Sequence, residues 1–93
     1  MRTFLVEQYV PELDEAAAGA LTARLKAAVN ELRQEGLPLR WLRSYALVGE
    51  ETYVWMLAAA ERDHVSLLGE RVGLELDHVV EAVSTSHLKR GRQ

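Results

Sequence analysis

Hydrophobic spacing changes several times along the chain, and each change marks an element. Residues 3–10 (TFLVEQYV) are rich in β-branched and aromatic side chains and stop at Pro11, which predicts a strand. From residue 14 to 35 the composition turns to Ala, Leu, Glu, Lys and Arg, with Leu21, Leu25, Ala28 and Leu32 along one helical face. Asp14 can accept from the free N–H groups of the first turn, and Gly36 can take the left-handed position that closes a helix. Pro38 then blocks continuation. Residues 39–48 (LRWLRSYALV) and the segment TYVWMLAA from Thr52 read as two strands of a hairpin turned at Gly49, Glu50 and Glu51. A shorter helix is predicted over 61–72, with Val65, Leu68 and Val72 at helical spacing and Gly73 as its stop. Residues 75–83 (ELDHVVEAV) read as a closing strand.

The order is βαββαβ, two strand–helix–strand units whose crossovers should be right-handed. That predicts an α+β, ferredoxin-like domain over residues 1–83, a four-stranded antiparallel sheet with two helices on one face. Residues 84–93 are expected to be a basic, flexible tail. A domain this small buries only roughly 60–68% of the surface its unfolded chain exposes, so a second copy would add to its stability. The expected assembly is a homodimer, a dimeric α+β barrel.

Period-two alternation divides every strand between the helix-covered face and an open one. In the second strand Leu42, Ser44 and Ala46 are expected under the helices, leaving Trp41, Arg43 and Tyr45 open. In the third, Val54, Met56 and Ala58 are expected to be covered, with Tyr53, Trp55 and Leu57 open. If Glu7 and Glu81 avoid the buried layer, Leu5, Glu7 and Tyr9 join the open side with Val79, Glu81 and Val83. The candidate ligand-binding set is therefore Glu7, Tyr9, Trp41, Arg43, Tyr45, Tyr53, Trp55 and Glu81. Arg43 would hold an anion, a glutamate would act as base or metal ligand, and the tyrosines would orient a small molecule. An aromatic sheet face of this kind calls for a cover, either a second subunit or a ligand. Three uses stay open: a ligand-binding or accessory dimer, a cofactor-independent enzyme of isomerase, cyclase or monooxygenase type with a Glu general base, and a purely structural dimer.

Charge narrows the list. The 93 residues carry a formal charge of −3, but Lys89, Arg90 and Arg92 lie at the end. Residues 1–83 hold eight basic and fourteen acidic groups, a charge of −6. Such a body repels phosphate backbones, so nucleic acid is not an expected partner. No apolar run is long enough for a membrane span or a secretion signal, and the expected location is cytoplasmic. With no cysteine, thiol nucleophiles, zinc ribbons and an ordinary iron–sulfur cluster are excluded. His64, His78 and His87 form no HxH or HExxH pattern. His78 is the metal-ligand candidate, and on a strand it would face away from Glu81. His64 is expected to be a solvated surface residue. Ser44 has no assignable triad partners, and the dispersed glycines make no phosphate-binding loop.

The segments FLVEQYVP, RWLRSY, TYVWMLAA and GLELDHVVEA, in this order over residues 3–83, resemble a family of small bacterial domains of unknown function. That family includes a nickel-binding protein with a dimeric ferredoxin-like fold. The resemblance implies the fold, the homodimer and a transition metal such as nickel as cofactor. The chain departs from the family at the residues that bear on metal. Gly69 stands before Glu70 and Arg71 where a histidine is frequent, Tyr53, Val54 and Trp55 stand where a cysteine is frequent, and Glu7, Gln8 and Tyr9 replace the histidine-rich stretch of the nickel-binding member.

Overall fold

A computed structural model describes residues 1–85. The strands are β1 (Arg2–Tyr9), β2 (Arg40–Leu47), β3 (Thr52–Ala59) and β4 (His78–Ala82), and the helices are α1 (Glu15–Gln34) and α2 (Arg62–Val72). They form one antiparallel sheet in the order β2-β3-β1-β4, the ferredoxin-like βαββαβ arrangement. The last strand begins at His78 rather than at residue 75, because residues 74–76 form an irregular segment under α2. The tail beyond residue 85, with His87 and its basic residues, lies outside the described residues.

Local chemistry sets the helix ends. Asp14 is the N-cap of α1, its carboxylate accepting from the Ala17 N–H at 2.8 Å. Gly36 follows with φ 101°, a region that only glycine enters without cost. Gly73 closes α2 in the same way, with φ 74°. Within α2, a Cβ on Gly69 would stand 2.9 Å from Leu76 Cγ and 3.2 Å from the Leu74 carbonyl, so glycine lets residues 74–76 pass close under the helix. Arg71 ties the helices together by donating to Glu31 at 3.0 Å and Glu35 at 2.8 Å.

The core lies between the helices and one face of the sheet. Leu21, Leu25, Ala28, Val29 and Leu32 of α1 and Val65 and Leu68 of α2 close over Phe4, Val6, Tyr53, Trp55, Leu57 and Ala59. Strand pairing fixes which residues share this face: Phe4 stands opposite Leu57, Val6 opposite Trp55, and Gln8 opposite Tyr53. The expectation for β3 is therefore reversed. Tyr53, Trp55 and Leu57 are covered, at 1% exposure or less, and Val54, Met56 and Ala58 lie on the open side. The cause is register, because β3 pairs with β1 so that Trp55 and Leu57 fall on the face that carries Val6 and Phe4.

A β-bulge between Trp41 and Arg43 explains the second correction. Trp41 pairs with Leu57 and Ser44 with Trp55, so both face the helices although they are three residues apart, and Leu42 is the inserted, exposed residue. Trp41 stacks on Trp55, with ring centroids 5.9 Å apart and planes inclined by 9°.

Candidate functional site

The open face is made of alternate residues from all four strands. Thr3, Leu5, Glu7 and Tyr9 come from β1, Arg43, Tyr45 and Leu47 from β2, Val54, Met56 and Ala58 from β3, and His78, Val80 and Ala82 from β4. Its centre is apolar, with Leu5 opposite both Met56 and Val80. Nothing within the described chain lies over it, and Tyr45 and Val80 remain 52% and 37% exposed.

Polar groups mark two regions. Toward the β2 edge, Arg43 Nη1 donates to the Tyr45 phenol oxygen at 3.2 Å. That bond, with the charge the phenol can develop, pushes the Arg43 pKa further up, so the guanidinium stays cationic. Arg43 and Tyr45 stand beside a hollow of about 520 Å³ floored by Thr3, Met56 and Ala82 and reached by Val83, just past the end of β4. Toward the other edge, Glu7 and His78 face each other across the β1–β4 pair. An open depression of about 560 Å³ continues from Glu7 and Tyr9 to Glu75 and Asp77.

The end of the sheet beside this depression is tied by carboxylates. Glu51, in the left-handed region at φ 49°, accepts from the Tyr9 phenol at 3.1 Å and from the Glu12 N–H at 2.5 Å. Asp77 accepts from the Tyr9 N–H at 2.9 Å. The hydrogen bond to Glu51, followed by its negative charge, raises the Tyr9 pKa and keeps the phenol protonated. Tyr9 is thus a strut holding the β1 end to the β2–β3 turn.

Of the sequence-derived set, the open face brings together Glu7, Tyr9, Arg43 and Tyr45, with His78 beside Glu7. Trp41, Tyr53 and Trp55 belong to the core instead. The Tyr53 phenol reaches Thr22 Oγ1, and because that hydroxyl already donates to the Ala18 carbonyl at 2.8 Å, Tyr53 is the donor. Glu81 also leaves the site, since it stands opposite Phe4 and so on the helix side, while Val79 opposite Val6 packs against the core. A carboxylate can face that way because β4 is the sheet edge and the helices do not cover its end. Glu81 is 43% exposed there and pairs with Arg2 at 3.4 Å. His64 is half-buried rather than solvated, with Nδ1 shielded from water. The residues that sequence reasoning missed are Val54, Met56 and Val80, which join Leu5 in the apolar centre. Pairing β3 against Phe4 and Val6 of β1 would have found them.

Glu7 and His78 supply two potential metal donors, but among the described residues no group of three or more His, Cys, Asp or Glu side chains is placed to hold an ion. The donors among the described residues therefore do not fit the nickel that the family resemblance implies.

No known protein family matches the sequence, and no curated protein does. Among solved structures, the chain is similar to SCO4226 from Streptomyces coelicolor A3(2), with a TM-score of 0.75 and 13% identity over 88% of this chain and 98% of that one. At this identity the likeness shows the fold. Among the described residues no helix is long and apolar enough to cross a membrane.

Proposed function

We propose that the protein works as a homodimer packed through its open sheet faces, and that the space between them binds a small organic anion. The observation that carries this reading is the apolar open face, with Leu5, Val54, Met56 and Val80 at its centre and charges of opposite sign toward its two edges. Strands about 4.8 Å apart, with a rise of about 3.3 Å per residue, give each copy a face of roughly 500 Å². Two such faces reach the roughly 1,000 Å² of total burial expected of a specific interface. Charge supports the same pairing, because a two-fold arrangement can set Arg43 of one copy against Glu7 of the other.

Both sheet edges argue for association by face. The β2 edge carries the bulge, and Arg62 donates from α2 to the Val79 carbonyl of β4, so each edge is poorly suited to strand addition. A second sheet would remove the hollow beside Arg43 and Tyr45 from solvent and strengthen the attraction between the guanidinium and a carboxylate. Met56 and Tyr45 suit an apolar or aromatic body attached to that carboxylate.

Titration with benzoate, a small apolar carboxylate, followed by calorimetry and native mass spectrometry, tests the reading. Saturable binding to a dimer, weakened at least about tenfold in Arg43→Ala, is the expected result, given the strength of charge-assisted hydrogen bonds. Binding that Arg43→Ala leaves unchanged would remove the anion site. Elemental analysis of protein purified without chelator separates this from a metal-binding role, since stoichiometric metal would replace the anion reading.

A further inference from the structure

The hollow beside Arg43 and Tyr45 owes its shape to one row of short side chains. On the open face Ala58 and Ala82 flank Thr3, each directly opposite it across a strand pair. The adjacent row, two residues along each strand, holds Met56, Leu5 and Val80. Large side chains end where three short ones begin, and the face steps down between the two rows. That step is the floor of the 520 Å³ hollow, and Thr3 is the polar residue of the floor.

Thr3 differs from Arg43 and Tyr45 in having nothing to bond. Arg43 donates to the Tyr45 oxygen at 3.2 Å, whereas the Thr3 hydroxyl has no hydrogen-bond partner among the described residues. The residue is half-buried, and unlike the shielded polar atoms elsewhere in the chain its oxygen is reached by solvent. Both branches at its Cβ stand on the open face, so rotation about one bond aims the oxygen into the hollow between staggered positions. A second sheet laid over this face takes water away from that hydroxyl, which is unfavourable unless another polar group is brought to it.

Position sets the length of a ligand that would serve both groups. Arg43 lies two strands and two residues from Thr3, which is about 12 Å between Cα atoms at ordinary strand spacing and rise. A carboxylate on the guanidinium leaves Thr3 within reach only of a polar group at the far end of a ring. We propose that the hollow takes an aromatic carboxylate with a hydroxyl opposite the carboxylate, and that Thr3 selects for it, an assignment that rests on the anion-binding reading above. Arg43 holds the charge, Met56 and Tyr45 cover the ring, and the Thr3 oxygen accepts from the ligand's O–H. A site that pairs a ligand hydroxyl discriminates against the analogue lacking it, because the protein's own group is then left unpaired.

4-Hydroxybenzoate and 4-methylbenzoate test this, since they share shape and charge and differ in the terminal hydroxyl. Calorimetry on the whole chain is expected to give at least about fivefold tighter binding of 4-hydroxybenzoate, the consequence of one hydrogen bond gained at a group otherwise unpaired. Thr3→Val keeps the shape of the side chain and suits a strand, and it is expected to abolish the preference, while Thr3→Ser is expected to retain it. Native mass spectrometry checks that both variants keep the wild-type assembly. Equal affinity for the two probes in the wild type, or a preference that survives in Thr3→Val, would overturn the role of Thr3. The wild-type comparison decides the matter even if a variant fails to fold. Benzoate binding that depends on Arg43 but shows no gain from the hydroxyl strikes the role of Thr3 alone, whereas binding indifferent to Arg43→Ala strikes the anion site and this assignment with it.

Discussion

Leu5, Val54 and Met56 alternate in sequence with Phe4, Val6, Trp55 and Leu57, and the two sets point to opposite faces of one sheet. The second set is at most 1% exposed beneath two helices, whereas the first is only partly shielded, by its neighbours in the sheet. A sheet covered on one side ordinarily reads apolar inward and polar outward. Here both sides of β1 and β3 are apolar at their centres, and the chain provides helices for one. The contrast teaches that the side-chain supply exceeds what a single copy can cover, which is the physical ground for a second cover over the open face.

The sharpest way to break the comparison is to mutate adjacent residues on opposite faces. Trp55→Ala empties the core and removes the stack with Trp41, so it should cost about 3–5 kcal/mol, much of the stability of a domain this small. Met56→Glu, the next residue, should leave the monomer's fold within about 1 kcal/mol, since its side chain lies outside the core. Urea unfolding in dilute solution followed by circular dichroism measures both. A smaller effect tests the helical cover itself: Asp14→Ala removes the cap that accepts from Ala17 and should lower stability by about 1 kcal/mol, seen as a lower Tm.

The smallest expected effect is in pH. The hydrogen bond from Arg71 holds the Glu35 carboxyl below its ordinary pKa of 4.5, against a weaker opposing effect of burial. A carboxyl depressed by folding stabilises the fold above its unfolded pKa and loses that contribution as pH falls through the folded value. Glu35→Gln should therefore flatten part of the acid limb of the stability curve and leave its alkaline limb unchanged, measured by unfolding across a pH series. Because the pair is exposed, the change should be slight.

Element order and most boundaries were legible in the sequence because they depend on local signals. Asp14, Gly36, Pro11 and Gly73 act within a few residues of where they stand. Which face each strand shows was less legible, because it depends on partners distant in the chain. Arg43 and Tyr45 were placed on the open face by alternation along β2, and Glu7 and Tyr9 by keeping a charge out of the buried layer. Trp41 was misplaced because one inserted residue, Leu42, reverses the phase of β2, and no local composition marks a bulge there. Tyr53 and Trp55 were misplaced because both faces of β3 carry apolar side chains, and only its register against Phe4 and Val6 of β1 settles which face the helices cover. Glu81 was assigned by its charge, but at a sheet edge a carboxylate can turn toward the helix side and stay wet.

The central claim is that the apolar open face is an interface between copies of this chain. Light scattering coupled to size exclusion, on the wild type and on Met56→Glu, tests it most directly. The account predicts a wild-type mass of two chains and a folded single chain for Met56→Glu. A wild type that stays a single chain at high concentration, or a dimer that survives Met56→Glu intact, would contradict it.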